Sequence, residues 1–499
     1  MSNCPTQRMK IGDFLLRRLE EAGIRDLFGV PGDYNLTLLQ QLQDTGTLKW
    51  IGTTGELAAS YAADGYARLN GLGALLVTNG VGALSAINGV GGSYSEHVPV
   101  ICICGSIPLR SIDRGLGMHH TMADGTFDHF LDAYAQVTVA HTRLTPRNAA
   151  SEIDRLILTA WREKLPVYME LPSDIAYLDI EVPAGPLVLA QPPSDPERLR
   201  SCIAAVAGKL AAATSPAILV DADADRFGVV PELMELASKV QAPLAVINAA
   251  KAVIDETFPH YLGIYGGKAS EPQVREAIES SDCLLSIGYR PIEVTTGDFT
   301  ASLPVDTIHA RGHSVDVGDD NYQAVTLKEV LRGVIDAVAP ARSRAPRHAA
   351  TAVVSAHTDG SAKLTQAAYW QAIQTYLRPG DVLYVDNGTS FVLLGPEASA
   401  ALHVHRVNQL GIDRLLGRSL ARCTHGGAAS SSPAVHWRRL VPGYGAGAVD
   451  HSAARPQAGD LSDQQRRIHH RARLSRQDRA LQRRRQLGLC RSAKGIPPR

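Results

Sequence analysis

Residues 74–104 read ALLVTNGVGALSAINGVGGSYSEHVPVICIC. An apolar run at 74–78 is followed by a glycine-rich turn, a helix-like stretch of small residues at 83–93 and a second apolar run at 98–104. Short apolar strands joined by a helix are typical of parallel strands that are covered on both faces. This stretch therefore predicts a strand–helix–strand unit of an α/β protein.

The same alternation of helices and strands extends to both sides of this unit. We predict helices at 9–22, 35–43, 56–69 and 146–163, and strands at 26–30, 50–52 and 167–171. The dipeptide Asn70–Gly71 is typical of a helix C-cap and ends the third of these helices. Together these elements predict a mostly parallel sheet with helices on both faces.

Two proline-containing segments divide the rest of the chain. Residues 183–196 and 339–347 read as linkers because both are rich in residues that interrupt helices and strands. Between them lies a second series of helices and strands, with strands predicted at 217–220, 244–247, 283–287 and 305–310. A third unit starts near Thr365 and contains a predicted strand at 382–385.

Composition narrows the class of protein further. The 499 residues are 45% hydrophobic and 20% charged, with a formal net charge of zero. The seven cysteines lack CxxC spacing, so we expect no zinc site or disulfide framework and a reducing, cytoplasmic location. Because the chain opens without a secretory signal and contains no apolar run of about 18 residues, we expect no membrane span.

Four ionisable residues lie in the turns of the first unit. Asp33 belongs to the turn GVPGDYN at 29–35, Glu56 to TGELAA at 54–59, and His119 and His120 follow a glycine-rich loop. Each has an ordinary structural explanation, since aspartate is common in turns and glutamate at helix N-termini. As a set of carboxylates and imidazoles in loops, however, they indicate proton-transfer chemistry.

These motifs, in this order, resemble those of the thiamine-diphosphate-dependent 2-oxo-acid decarboxylases of the pyruvate and indolepyruvate decarboxylase type. The resemblance runs from about Met9 to Phe391. It implies an α/β fold of three doubly wound parallel-sheet domains, of which the third is incomplete here. The implied domains are a pyrimidine-binding domain at 1–182, a middle α/β domain at 197–340 and the start of a diphosphate-binding domain at 360–391.

The resemblance also assigns roles to residues. Glu56 matches the glutamate that binds the thiamine pyrimidine and promotes formation of the reactive ylid. Asp33, His119 and His120 match catalytic residues, and Asp33 and His120 also contact the substrate. The matching cofactor-binding positions are Glu56, Gly80, Val81, Gly388, Thr389 and Ser390. The glycine loop at 79–82 lacks the spacing of a dinucleotide fingerprint, which argues against a nicotinamide-dependent dehydrogenase.

The activity implied is that of a carboxy-lyase, which converts a 2-oxo acid to an aldehyde and carbon dioxide through a thiamine diphosphate ylid. Thiamine diphosphate and Mg²⁺ are the implied cofactors. The implied partners are a small 2-oxo acid and further copies of the chain in a dimer or tetramer, with no nucleic acid and no membrane. Two alternatives stay open: an acetolactate-synthase-like enzyme, and an inactive remnant without its metal site.

The resemblance ends where the composition changes. From residue 392 onward the sequence contains no Phe, and residues 401–499 hold 18 Arg and one Lys against five Asp and no Glu. The Gly-Asp-Gly and Asn-Asn segments that supply the family's Mg²⁺ ligands are missing, so we assign no metal ligands in this reading frame. Residues 392–499 are predicted to be a disordered basic tail, and a tail that binds an acidic partner or nucleic acid is the alternative to a frameshift.

A shifted reading frame recovers the missing motifs. Residues 438–450 can be encoded by bases that, read from two bases upstream, spell Gly-Asp-Gly-Ser-Phe-Gln-Val-Thr-Ala-Gln-Glu-Leu-Ser. In the same shifted frame, residues 464–471 admit Asn-Asn-Asp-Gly-Tyr-Thr-Ile-Glu and residues 410–415 admit Trp-Gly-Ser-Ile-Gly-Tyr. Three family motifs in the correct order indicate a frameshift close to Phe391, in the gene or in its sequencing.

Resequencing the coding DNA across codons 380–400 tests the frameshift. A missing or extra base relative to the present read is expected if the shift arose in sequencing. Confirmation of the present read would place the shift in the gene itself. Source DNA in which the family's reading frame was never present downstream of codon 391 would contradict the hypothesis.

Overall fold

The computed structural model describes residues 5–46, 48–341, 382–385 and 403–406, and the predicted alternation of helices and strands is present in it. The first sheet has six strands: β2 (Asp26–Gly29), β3 (Lys49–Gly52), β4 (Gly73–Thr78), β5 (Val100–Ser106), β6 (Ala140–Arg143) and β7 (Val167–Pro172). Their spatial order is β3-β2-β4-β5-β7-β6, and every neighbouring pair is parallel. The predicted parallel sheet is confirmed.

Helices cover both faces of this sheet, as predicted. Its helices are α1 (Ile11–Glu21), α2 (Leu36–Thr45), α3 (Glu56–Asn70), α4 (Val81–Ser95), α5 (Leu109–Asp113), α6 (His129–Ala135) and α7 (Ala149–Glu163). Alternate strand residues face opposite layers: Leu76 of β4 packs with α1, α2 and α7, whereas Leu75 packs with α3, α4 and α6. Gly71 ends α3 with a φ of 81°, which confirms the predicted C-cap.

The first helix was predicted too long. Met9 and Lys10 belong to a strand, β1 (Thr6–Lys10), which pairs antiparallel with β8 (Asp179–Pro183). The side chains of β1 are exposed or half-buried, and its partner lies about 170 residues along the chain. Neither an apolar run nor a nearby hairpin turn therefore signals this strand. The strand at Ala140–Arg143 was missed for the same reason, since all four of its residues are half-buried.

A second sheet contains seven strands in the order β11-β10-β9-β12-β13-β14-β15. They are β9 (Pro216–Val220), β10 (Leu244–Ile247), β11 (Tyr261–Tyr265), β12 (Cys283–Ile287), β13 (Ile308–Ala310), β14 (Ser314–Val317) and β15 (Asp320–Gln323). The first five strands in the spatial order are parallel, and β14 and β15 continue the sheet antiparallel.

In the described part of the chain, six α-helices accompany the second sheet: α8 (Pro196–Ala212), α9 (Asp223–Arg226), α10 (Val230–Val240), α11 (Pro272–Glu279), α12 (Glu293–Thr296) and α13 (Leu327–Ala337). The predicted strand at 305–310 starts too early, because Val305 is fully exposed and the strand begins at Ile308. The strands of the second sheet at 261–265 and 314–323 were not predicted. The domain limits given above stay a prediction.

The predicted strand Val382–Val385 is present and pairs in parallel with His403–Arg406. The remainder of 360–391 and of 392–499 lies outside the described residues, as do Gly388, Thr389 and Ser390. Cys102 and Cys104 are buried on β5 as free thiols. In the described part of the chain, no helix has the length and apolar character needed to cross a bilayer.

A buried ion pair ties the edge of the first sheet to the loop that follows the histidine pair. Arg143 Nε donates to Glu170 Oε2 at 2.6 Å, and Glu170 is 1% exposed. The same guanidinium donates to the carbonyl of Phe127 and the carboxylate of Asp128, at 2.6 and 2.7 Å. Burial raises the pKa of Glu170, and Arg143 offsets part of that rise.

Replacing this arginine tests the buried pair. Arg143→Met leaves the Glu170 carboxylate without its cation, and we expect a loss of about 3–5 kcal/mol in the free energy of unfolding near neutral pH. The remaining carboxyl has a raised folded-state pKa, so it is more easily accommodated when protonated. The loss should therefore be smaller at acidic pH and grow as the pH rises through that pKa.

Urea denaturation followed by circular dichroism at two pH values measures this loss. Arg155→Met is the matched control, because Arg155 pairs with Glu152 on the surface of α7 at 2.6 Å and should contribute under about 1 kcal/mol. Equal losses for the two variants, or a loss for Arg143→Met that does not vary with pH, would contradict this view of the pair.

Candidate active site

The four predicted residues lie at one edge of the first sheet. Asp33 follows β2, Glu56 follows β3, and the segment that carries His119 and His120 follows β5. The glycine loop at 79–82 follows β4. Since these strands are parallel neighbours, their carboxyl ends meet at the same edge. The topology therefore brings all four loops together, although they are separated by up to 87 positions in the sequence.

Asp33 and His119 are in direct contact. The Nε2 atom of His119 and Oδ2 of Asp33 form a hydrogen bond across the two loops. Both side chains are about half exposed, at 47% for Asp33 and 58% for His119. A carboxylate and an imidazole joined by a hydrogen bond can pass a proton between them, which is an arrangement suited to general acid–base chemistry.

Tyr34 fixes the orientation of the His119 ring. Its hydroxyl lies 3.2 Å from Nδ1 of His119 and donates to the backbone carbonyl of the same residue, also at 3.2 Å. The two rings stack with their centroids 5.0 Å apart. Burial, with a smaller contribution from Asp33, raises the pKa of Tyr34 to about 12. The hydroxyl therefore keeps its proton at physiological pH.

This network determines which nitrogen of His119 is available. Because the hydroxyl proton of Tyr34 goes to the carbonyl, its oxygen is left to accept from Nδ1–H of His119. With a proton on Nδ1, the hydrogen bond between Nε2 and Oδ2 of Asp33 requires one further proton, carried either by the imidazolium or by the carboxyl group. The proton on Nδ1 is assigned from the hydrogen-bond network. The proton between Asp33 and His119 can thus be transferred without a change at Nδ1.

His120 is held by its backbone rather than by its ring. Its φ is 60°, and its carbonyl accepts a hydrogen bond from Asn79 Nδ2 at 3.0 Å. Gly80 has a φ of 66°, and a methyl group at this position would lie 2.2 Å from the same carbonyl. Within residues 5–46 and 48–341, the buried Nδ1 of His120 has no hydrogen-bond partner. The ring therefore has an unused polar atom in the site.

Glu56 is the first residue of α3 and is half-buried. A methyl group at Gly82 would lie 3.3 Å from its Oε1 atom, so the carboxylate lies against the start of α4. No hydrogen bond to this carboxylate is present among the described residues. A flat ring could approach Glu56 here because residue 82 has no side chain.

The glycine turn that carries Asp33 also depends on close packing. A methyl group at Gly32 would lie 2.6 Å from Cβ of Thr78, the last residue of β4. The Asn35 side chain accepts from the Gly32 amide at 2.9 Å and donates to the Val30 carbonyl at 3.0 Å. Asp33 is therefore presented by a turn whose backbone is fixed on both sides.

The structure thus brings together Asp33, His119 and His120, and it places Glu56 and Gly80 in the adjoining loops. Val81 begins α4 and is 58% exposed. Sequence reasoning missed the contributions of Tyr34 and Asn79. Both lie beside residues that the motifs had already identified, but an adjacent position does not reveal a contact with a loop that is distant in the sequence.

Comparison with known proteins gives consistent matches. A protein-family model described as thiamine pyrophosphate enzyme, N-terminal TPP binding domain, matches residues 9–130. The family model for the central domain of the same enzymes matches residues 203–338. A pyruvate decarboxylase of Aspergillus fumigatus is 38% identical over 385 residues, which cover 76% of this chain and 68% of the relative. One from Aspergillus terreus is 36% identical over 385 residues, with the same coverage. An alpha-keto-acid decarboxylase of Mycobacterium leprae is 36% identical over 384 residues, covering 76% and 67%.

The contact between the glycine loop and His120 generates a stability prediction. Gly80→Ala combines a positive φ with a clash against a backbone carbonyl, whereas Gly115→Ala has a similar φ of 60° and no atom within 4 Å. Backbone strain alone should cost Gly115→Ala about 1–2 kcal/mol. Overpacking should cost Gly80→Ala about 1–3 kcal/mol more.

Thermal or urea unfolding of the two variants measures the difference in unfolding free energy. Because both glycines have similar φ values, the difference isolates the contact with the His120 carbonyl. Two variants of equal stability would show that this contact does not constrain the loop.

Proposed function

The chain belongs to the thiamine pyrophosphate enzymes, and among them to the 2-oxo-acid decarboxylases, and from that membership we propose that it converts a 2-oxo acid to an aldehyde and carbon dioxide. The observation that carries this proposal is the cluster of Asp33, His119 and His120 at the sheet edge, with Glu56 in the neighbouring loop. The substrate class is a small 2-oxo acid such as pyruvate or an aromatic or branched-chain homologue.

The loops fit the pyrimidine end of thiamine diphosphate. Glu56 offers a carboxylate without a partner among the described residues, and Gly82 leaves space beside it. Gly80 and Val81 line the adjoining turn. When bound, thiamine diphosphate supplies the nucleophile and the electron sink for loss of carbon dioxide. Glu56 would hold the pyrimidine ring and share a proton with one of its nitrogens.

The Asp33–His119 pair would handle the substrate's protons. The carbon that loses carbon dioxide must gain a proton before an aldehyde can leave. A proton held between Asp33 and His119 is available for that purpose, and Tyr34 keeps the His119 ring oriented throughout. The unpartnered Nδ1 of His120 offers a second hydrogen-bonding position for the substrate.

The magnesium part of the cofactor site depends on the shifted reading frame. Mg²⁺ prefers oxygen ligands and would bridge the protein to the cofactor's phosphates. The family's oxygen-ligand motifs are missing from the sequence as it stands and are spelled by the shifted frame. We therefore propose that the chain with the shifted frame binds Mg²⁺ and that the 499-residue chain binds the cofactor weakly.

A second copy of the chain would complete the site. Val81, Leu84 and Tyr94 leave exposed apolar surface on α4, at 58%, 42% and 40% exposure. Val81 and Leu84 are about one helical turn apart on the first turn of α4, where the glycine loop joins the helix. Covering them would also exclude water from Glu56, which is half-buried at the start of α3. A dimer or tetramer is therefore the proposed assembly.

An activity assay tests the proposal. The chain with the shifted frame, supplied with thiamine diphosphate and Mg²⁺, is expected to release aldehyde from pyruvate or from aromatic or branched-chain 2-oxo acids. Glu56→Gln should lower kcat/KM by about 10²–10⁴-fold, because the amide cannot share a proton in the same way. Aldehyde is measured through an added alcohol dehydrogenase and the oxidation of NADH.

Glu293→Gln is the matched control, since Glu293 also begins a helix, but in the second sheet's domain and on an exposed surface. It should leave turnover unchanged. Acetohydroxy acid as the main product would instead identify a synthase, and near-normal turnover of Glu56→Gln would refute the role given to that residue.

A further inference from the structure

Asp33, His119 and His120 also have the character of a metal site. Each of the three residues offers one potential ligand atom, a carboxylate oxygen or an imidazole nitrogen. In the described part of the chain, these three atoms all lie within 4.8 Å of one another. The two imidazole rings are 4.7 Å apart at an interplanar angle of 65°. Small side-chain rotations would bring the three donor atoms to the separations found around one bound cation.

The donor types select a class of cation. Two imidazole nitrogens and one carboxylate oxygen suit Zn²⁺, Co²⁺ and related transition metals, whereas Mg²⁺ prefers an all-oxygen set. Three protein ligands leave a fourth position open to solvent, because Asp33 and His119 are about half exposed. This site is thus distinct in chemistry from the Mg²⁺ site that serves the cofactor's phosphates.

The surrounding groups prepare the ligands. Tyr34 holds Nδ1 of His119, so that Nε2, on the side of Asp33, is the nitrogen that could bind a cation once the proton between Nε2 and Asp33 is released, as in metal sites where a second hydrogen bond orients the histidine. Nδ1 of His120 is buried and has no partner among the described residues. The His120 backbone is fixed by Asn79 and by close contact with Gly80. Little reorganisation is needed for these donors to bind a cation.

We propose that Asp33, His119 and His120 form a binding site for a transition-metal cation of the Zn²⁺ class, separate from the cofactor's Mg²⁺. The cation would take the place of the proton between Asp33 and His119. A bound cation would then occupy the lone pairs needed for proton transfer and inhibit turnover. That last consequence rests on the proposed function, whereas the binding itself does not.

Other pairs of histidine and aspartate in the described residues lack a third ligand. His129 and Asp124 are 2.6 Å apart at Nε2 and Oδ2, with 40% and 45% exposure, but no further histidine or cysteine joins them. This pair belongs to the same connecting region as His120 and resembles the proposed site in exposure. It therefore provides a matched control.

Co²⁺ titration of the metal-free 499-residue chain tests the proposal through the ligand-field absorption of the cation, with Zn²⁺ as competitor. Because the chain contains 17 histidines, the informative quantity is the difference between the wild type and its variants. His120→Gln and Asp33→Asn should each weaken one site by at least about tenfold. His129→Gln should leave that site unchanged, and millimolar Mg²⁺ should not displace the Co²⁺.

Circular dichroism of each variant verifies that it is folded. A further variant, Tyr34→Phe, keeps all three ligands but should still weaken Co²⁺ binding, because it removes the hydroxyl that orients the His119 ring. Unchanged Co²⁺ affinity in both His120→Gln and Asp33→Asn, an equal loss in His129→Gln, or displacement by Mg²⁺ would overturn the proposal. Because the readout is binding, failure of this proposal is distinguishable from failure of the proposed decarboxylation.

Discussion

The parallel alignment of β2, β3, β4 and β5 is the constraint on which the rest of the site depends. Each strand pairs in register with its neighbour and is followed by a loop at the same edge. Both faces of the sheet are buried under helices, so a slip of one strand by a single residue would move each of its side chains to the opposite face and disrupt packing in both layers. The core of the domain therefore fixes the positions of the functional loops.

Close backbone contacts at three glycines then fix the positions of the loops that follow these strands. Gly32 packs on Thr78, Gly80 on the carbonyl of His120, and Gly82 beside the carboxylate of Glu56. At each point a side chain would separate loops that must touch. The hydrogen bonds of Tyr34 and Asn79 complete the arrangement, because Tyr34 orients the ring of His119 and Asn79 holds the backbone of His120. The same preparation that allows Asp33 and His119 to share a proton also allows them to share a cation.

Much of the first sheet could be predicted because its strands are buried on both faces and appear as apolar runs. Strand β1 could not, since it is exposed and pairs with a segment far along the chain. For the site, motifs identified Asp33, Glu56 and the histidines, but not the contact between Asp33 and His119, which depends on the spatial order of the strands in the sheet. Tyr34 carried no signal of its own, because a tyrosine in a turn is explained equally well by packing.

The most direct test of the central claim is the exchange of the C2 hydrogen of thiamine diphosphate with deuterium, measured by NMR on the chain with the shifted frame. It reports on activation of the bound cofactor by Glu56 before any substrate is added. The account predicts fast exchange in the wild type and exchange close to that of the free cofactor in Glu56→Gln. Equally fast exchange in both proteins would contradict the placement of the active site at this edge of the sheet.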